Sequence, residues 1–593
     1  MSPAVWELLL GLCSNAPCEA AGLATFATGI TPFAFMTTPH SLLHITAAFS
    51  LLLSAMPFLA SSQTDLGARP PLVVGITVDQ MRADYLTRFW NDFGDGGFKR
   101  MVGDGFVCAD HHFGYAPTYT GPGHASIYTG TTPQFHGIIG NNWYERSSGT
   151  SVYCAGDSNA MGVGPVDPTH YAGQMSPHRM RTSTLGDEMK FALGMAPKVI
   201  GISLKDRGAI LPAGHAADAA YWYHGKDAGG FISSTYYMDE LPKWVQRWNK
   251  STPAPAYLAE GWSLLREEVT YNESWADNNP YESPFRGTLR PAFPYDLQAL
   301  SEQNGGYDIL KSTPWGNTLV VDFALAAIEA EGLGADEATD LLAISFSATD
   351  YVGHQFGVHA METQDTYLRL DLELKRLFDA LDAQVGEGNW LAFLTADHGA
   401  ASVPSLARSE GVPAGYWKPA ALETELEAAL ALDTAGASED WVLSISNDQI
   451  FLNRPLIAAK HLSLEAVQNQ VAALAAAHPD VDRAVTSTEL QRHGGYDNDV
   501  LARLAWGHHA KASGDVMLLP APGWLDYGPS GTSHGSPYAY DTHVPCLFYG
   551  WGISPGITHE RTHIRDIAPT IAALIHSPLP NGCTGRPIED LFD

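Results

Sequence analysis

Two short segments far apart in the chain, Ser347-Ala348-Thr349-Asp350-Tyr351-Val352-Gly353-His354 and Leu394-Thr395-Ala396-Asp397-His398-Gly399, each place an Asp and a His just beyond an apolar run. Carboxylate oxygen and imidazole nitrogen are donors that borderline divalent ions such as zinc accept. A third run, Pro71-Leu72-Val73-Val74-Gly75-Ile76-Thr77-Val78, ends the same way in Asp79. Three such ends converging can hold two ions, the arrangement of a two-metal hydrolytic site.

A hydroxyl belongs to the same picture. Residues 117–125 read Pro-Thr-Tyr-Thr-Gly-Pro-Gly-His-Ala, a turn entering a helix, where free backbone N–H groups favour an anion. Thr120, the last residue before the glycines, is the candidate nucleophile. Its alkoxide is out of reach near neutral pH unless a metal supplies positive charge beside it.

These residues need strands to carry them. The apolar runs 341–346 and 390–394 read as buried parallel strands, and open α/β sheets gather their ligands at strand C-terminal ends. Further strands are expected at 105–109, 198–203, 515–519 and 544–549, and helices at 81–102, 317–331, 363–383, 420–432, 463–478 and 564–575. The expected fold is an α/β/α sandwich with a largely parallel central sheet. Residues 218–314, rich in Trp, Tyr, Pro and Asn, read as an irregular insertion that can roof the site, and 403–503 as a small subdomain with short strands at 440–445 and 449–452. Tyr221, Trp222, Tyr223, Tyr236 and Tyr237 either line a leaving-group surface or pack the insertion.

With 593 residues, 17% charged and 45% hydrophobic, the chain describes a buried globular enzyme rather than a disordered one. A formal charge of −31 excludes nucleic acid as a bulk partner, and a small anionic substrate would need a local island of metals, Lys and Arg. Residues 1–62 contain no Lys or Arg, and 42–60 are almost continuously apolar before Ala60-Ser61-Ser62. This reads as an export leader cleaved after Ser62, with no stable membrane span remaining, and a periplasmic or secreted enzyme. A start at Met36 would leave 1–35 as an over-extended reading frame, and a retained membrane anchor is the alternative. After the leader four cysteines remain, Cys108, Cys154, Cys546 and Cys583, enough for two disulfides of undetermined pairing. None has metal-ligand spacing.

The order of these features, carboxylate, hydroxyl, Asp-x-x-x-His, then Asp-His, resembles the alkaline phosphatase superfamily over nearly all of the mature chain. Val-Asp-Gln-Met-Arg at 78–82, Asn141 in Gly-Ile-Ile-Gly-Asn-Asn-Trp-Tyr, and Lys205-Asp206-Arg207 are similar to the phosphate-irrepressible (PafA-type) alkaline phosphatases, exported zinc phosphomonoesterases with a threonine nucleophile. The resemblance implies one zinc on Asp79, Thr120, Asp397 and His398, and a second on Asp350, His354 and a late histidine. His534 in Gly-Thr-Ser-His-Gly-Ser-Pro-Tyr is placed ahead of His543, which reads better as a residue capping a strand. Lys205, Arg207 and Asn141 would contact phosphoryl oxygens. A monoester carries up to two negative charges there and a diester one, so the two cations favour monoesters. His111, His112, His124 and His359 are expected to pack or face solvent.

The competing readings are a phosphodiesterase or nucleotide pyrophosphatase, with the same metals and nucleophile, and a non-catalytic exported zinc-binding protein. A sulfatase would need a Cys or Ser in the nucleophile loop, and a phosphoglycerate mutase a serine in place of Thr120.

Overall fold

The computed structural model describes residues 69–226, 229–432, 440–492 and 499–592. The expected leader and the alternative start at Met36 lie outside the described residues. Ten strands form one sheet: β1 Leu72–Val78, β2 Phe106–His112, β3 Gly162–Val163, β4 Val199–Ser203, β5 Ala219–His224, β6 Gly230–Ser234, β7 Asp340–Phe346, β8 Trp390–Thr395, β9 Cys546–Gly550 and β10 Gly556–His563, in the spatial order β10-β2-β9-β8-β1-β7-β4-β5-β6-β3. The five strands β8, β1, β7, β4 and β5 are parallel neighbours, while β9 and β6 run against the rest. Every residue of β1, β7, β8 and β4 is buried, as continuous apolar runs covered on both faces require. Helices α1 Thr120–Thr129 and α2 Asp206–Ala213 pack together. Helices α3 Trp315–Glu331, α4 Ala348–Phe356 and α5 Met361–Gln384 form a second group, and the result is the expected α/β/α sandwich.

Strand register is what positions the site. Thr77 of β1 pairs with Thr395 of β8 and with Ser345 of β7, and Ser345 pairs with Ser203 of β4. Four adjacent strands therefore end level, and the residues that follow them, Asp79, Asp350, Asp397-His398 and Lys205, emerge along one edge of the sheet.

Several sequence expectations need correction. The stretch 81–102 is two short helices, Asp84–Arg88 and Phe98–Asp104, interrupted where Gly94, Gly96 and Gly97 remove helix propensity. The stretch expected to be irregular from 218 onward opens with the sheet strands β5 and β6. Tyr221, Trp222 and Tyr223 are accordingly core residues, at most 3% exposed, and form no leaving-group surface. Residues 516–520 leave the main sheet and join Val442–Ser446, Gln449–Leu452 and Val481–Thr486 in a separate four-stranded antiparallel sheet. That sheet, with helices Pro419–Leu432 and Leu464–Ala476, has its own apolar cluster around Leu422, Val471 and Val516.

All four described cysteines are free thiols. Cys154 and Cys583 pack against different glycines, Gly121 and Gly130, whereas Cys108 and Cys546 lie opposite one another by the register of β2 and β9. Among the described residues no helix is long and apolar enough to cross a membrane.

Candidate metal centre

Two donor groups meet at the level strand ends. Asp79, Asp397 and His398 form one, Asp350, His354 and His534 the other, and within each the ligand atoms lie within 4.8 Å of one another. Asp350 sits in the first turn of α4 and His354 in its last, four residues on, so helical geometry stacks them on one face. His354 Nε2 is 3.2 Å from Asp350 Oδ1 and His534 Nε2 is 3.8 Å from the same oxygen. His398 Nε2 is 3.5 Å from both Asp79 Oδ1 and Asp397 Oδ2. The His398 and His534 rings stack at 3.4 Å between centroids, joining the two groups.

The imidazoles are pre-set as ligands. Nδ1 of His354, His534 and His398 lies 2.7, 2.7 and 2.9 Å from the carbonyl oxygens of Thr532, Thr118 and Gly399. A carbonyl only accepts, so each Nδ1 carries the proton and each Nε2 keeps its lone pair for the centre. Burial, with His398 and His354 alongside, holds His534 neutral, its pKa well below the usual histidine value. Burial likewise lowers His398.

The carboxylates carry the complementary signature. Asp79 Oδ1 is buried with no hydrogen-bond donor, and neither has Asp397 Oδ2, although His124 Nδ1 lies 3.2 Å away. Burial, together with the charges of Asp350 and Asp397, pushes the Asp79 carboxyl well above the usual carboxylate range. At Asp350 burial acts in the same sense, but His354 and Lys205 outweigh it and hold that carboxyl well below the range. Two buried carboxylate oxygens without donors, Asp79 Oδ1 and Asp397 Oδ2, beside imidazoles whose Nε2 atoms face the same centre, fit divalent cations. Lys205 Nζ lies between the groups, 2.6 Å from Asp79 Oδ2 and 2.5 Å from Asp350 Oδ2.

Thr120 opens α1 behind Tyr119, whose extended backbone caps the helix. It is 1% exposed, and its Oγ1 is 3.4 Å from His398 Nε2. Gly121 and Gly123 are needed because the helix start is pressed onto the site. A Cβ on Gly123 would stand 2.3 Å from the Asp397 carbonyl oxygen, and one on Gly121 would meet Cys154 Sγ and Asn141 Oδ1 at 3.1 and 3.3 Å. Gly121 N–H donates to Asn141 Oδ1 at 2.8 Å.

Arg207 departs from the expected geometry. The extended backbone stops at Lys205, the helix cap, and Arg207 lies in the first turn of α2, so strand alternation does not align the two. Tyr153 reaches across instead: its hydroxyl donates to Asp206 Oδ1 and accepts from Arg207 Nη1 at 3.1 Å. Arg207 Nε is buried without an acceptor.

His543 is placed away from both groups, its Nε2 3.1 Å from the Ala109 carbonyl. Gln80 escaped sequence reasoning as a residue of the centre, while His124, expected to pack or face solvent, packs there. Gln80, at φ 66°, donates from its backbone to Asp397 Oδ1 at 3.1 Å and from Nε2 to Asp350 Oδ1 at 2.8 Å, tying the two groups together. His124 is a fully buried strut, with Nδ1 3.0 Å from the Thr120 carbonyl and Nε2 2.8 Å from Ser345 Oγ. The only available signals were adjacency to Asp79 for Gln80 and one-turn spacing from Thr120 for His124.

Comparison with known proteins matches residues 73–541 to the type I phosphodiesterase / nucleotide pyrophosphatase family. The chain is 42% identical over 531 residues to a Myroides odoratus protein named calcium-transporting ATPase, covering 88% of this chain and 95% of that one. It is 38% identical over 544 residues to alkaline phosphatase PafA of Elizabethkingia meningoseptica, covering 91% and 98% of the two chains. It is 41% identical over 527 residues to alkaline phosphatase PhoV of Synechococcus elongatus, covering 88% and 93%. The crystal structure of wild-type alkaline phosphatase PafA superposes with a TM-score of 0.85 at 38% identity, over 89% of this chain and 100% of that one.

Proposed function

The chain belongs to the type I phosphodiesterase / nucleotide pyrophosphatase family, as an alkaline phosphatase of the PafA and PhoV kind, and we propose that it hydrolyses phosphate monoesters to alcohol and inorganic phosphate through a covalent phosphothreonine on Thr120. The activity follows these phosphatase relatives rather than the transport named for the Myroides protein, because the converging donors form a hydrolytic site. The observation that carries the reading is the meeting of Thr120 and Lys205 with two three-residue donor groups at level strand ends, with Asn141 held on the N–H of the residue after Thr120.

Asp79, Thr120, Asp397 and His398 would hold one zinc, and Asp350, His354 and His534 the other. Bound there, the two ions would supply Lewis-acid stabilisation of the nucleophile, the transferred phosphoryl oxygens and the leaving oxygen. Thr120 Oγ attacks phosphorus as the ester oxygen departs as alcohol. Water then attacks the phosphothreonine, and inorganic phosphate leaves with Thr120 restored. Asn141, whose Oδ1 is engaged by Gly121 N–H, presents its Nδ2 donor to a non-bridging oxygen. Lys205 and Arg207 bring two cations to an oxyanion that carries two charges in a monoester and one in a diester. The leader-like 1–62 supports export to the periplasm or medium, where small phosphate monoesters are the substrates.

The test is steady-state hydrolysis of an aryl phosphate and the matching bis-aryl diester by the zinc-loaded full chain and by Lys205→Ala/Arg207→Ala. Monoester preference that falls sharply in the double variant supports the reading. Diester turnover equal to monoester turnover and unchanged by the substitutions favours the phosphodiesterase. Absence of zinc-dependent turnover on either substrate favours the zinc-binding protein.

A further inference from the structure

Away from the catalytic cluster, Asp110, His112 and His543 form a third group whose ligand atoms lie within 4.8 Å of one another. Strand register assembles it. Asp110 and His112 occupy alternate positions of β2 and so project to one side, while β10 runs alongside with Arg561 level with Asp110. An isolated antiparallel bridge joins His112 to His543.

The side chains are held in a form ready for a cation. His543 Nε2 is 3.1 Å from the Ala109 carbonyl oxygen, so that nitrogen carries the proton and Nδ1 keeps its lone pair. His112 Nδ1 is 3.1 Å from Thr542 Oγ1, and its Nε2 is 3.0 Å from Asp110 Oδ1. The two rings stack at 4.5 Å with an interplanar angle of 6°. Arg561 Nε holds the other carboxylate oxygen, Oδ2, at 2.6 Å, which leaves Oδ1 turned to the imidazoles. A backbone carbonyl fixing a tautomer and a cation fixing a carboxylate are the outer-shell devices that support metal ligands. The Asp110 side chain is 36% exposed, so the site opens to solvent.

We propose that Asp110, His112 and His543 bind a divalent transition metal ion, separate from the catalytic pair, with water completing its coordination. Two imidazoles and one carboxylate suit zinc, cobalt or nickel better than calcium or magnesium. Binding takes the His112 ring in its Nδ1-protonated tautomer, donating to Thr542 Oγ1, which leaves the Nε2 lone pair for the ion.

Zinc per chain is counted by elemental mass spectrometry on the full-length protein after dialysis against micromolar zinc chloride, for wild type, Asp110→Asn and His543→Gln. Each variant is expected to carry one zinc fewer than wild type with aryl phosphate turnover unchanged. Wild-type crystals measured across the zinc absorption edge are expected to show an anomalous peak among the three side chains, a readout independent of how the variants fold. Equal zinc in all three proteins with no peak at this place overturns the proposal. The difference between wild type and variant does not depend on how many ions the catalytic cluster holds, so failure here is separable from failure of the phosphatase reading.

Discussion

Asn141 Oδ1 accepts the backbone N–H of Gly121 at 2.8 Å, which leaves the Nδ2 end of the amide as the one the proposed mechanism uses. The N–H belongs to the residue after Thr120, so the proposed nucleophile and the proposed Asn141 donor are registered to each other by the chain itself.

The consequence is measurable at Asn141. Asn141→Ala removes one oxyanion donor and is expected to lower monoester kcat/KM by about 10²–10³. Asn141→Asp keeps the acceptor for Gly121 N–H but aims a second carboxylate oxygen at the phosphoryl group, and is expected to lose more than alanine does. Equal losses for the two variants would argue that the side chain only braces the loop.

Lys205 is the buried cation between Asp79 and Asp350. Burial opposes its charge, but the two carboxylates outweigh burial and raise its pKa. Removing one member of a buried ionic cluster costs about 3–5 kcal/mol. Lys205→Ala is therefore expected to depress the melting temperature strongly in chelator, where no metal neutralises the carboxylates, and much less with zinc present. Chelator is also expected to abolish turnover in wild type. The same melting shift with and without zinc would contradict this role.

Much of the site was legible because its ligands follow apolar runs that can only be buried strands, and because Asp350 and His354 are four apart. What escaped depends on tertiary geometry instead. Gln80 acts through a left-handed backbone that a polar residue after an aspartate does not announce. His124 reads as an ordinary helical histidine until β7 brings Ser345 to it. The strand 219–224 was hidden by its aromatic composition, and residues 516–520 look locally like any core strand. Which sheet a strand joins is decided by its neighbours and not by its own pattern.

A buried acid pair is expected to set a pH dependence of stability. Tyr295 donates to Glu362 Oε1, while Oε2 of both Glu282 and Glu362 is buried without a partner. Burial, reinforced by Glu362, raises Glu282 to about 9, and burial raises Glu362 to about 8; the two titrate as a coupled pair. Folded values above the unfolded one mean that the protonated pair's contribution is complete below about pH 4.5 and is lost as pH rises through 8–9. Wild type should lose melting temperature across that window, and Glu282→Gln should lose less, so that the variant gains on wild type between pH 7 and 9.5. Parallel pH profiles would remove the pair from the account.

The nucleophile is tested most directly by acid-quenching the zinc-loaded protein during turnover of a phosphorus-labelled aryl phosphate and mapping the label by peptide mass spectrometry, with Thr120→Ala beside it. The account predicts label on Thr120, no label in Thr120→Ala, and a loss of monoester kcat/KM of at least about 10³ in that variant. Label on another residue, or monoester turnover retained in Thr120→Ala, would contradict it.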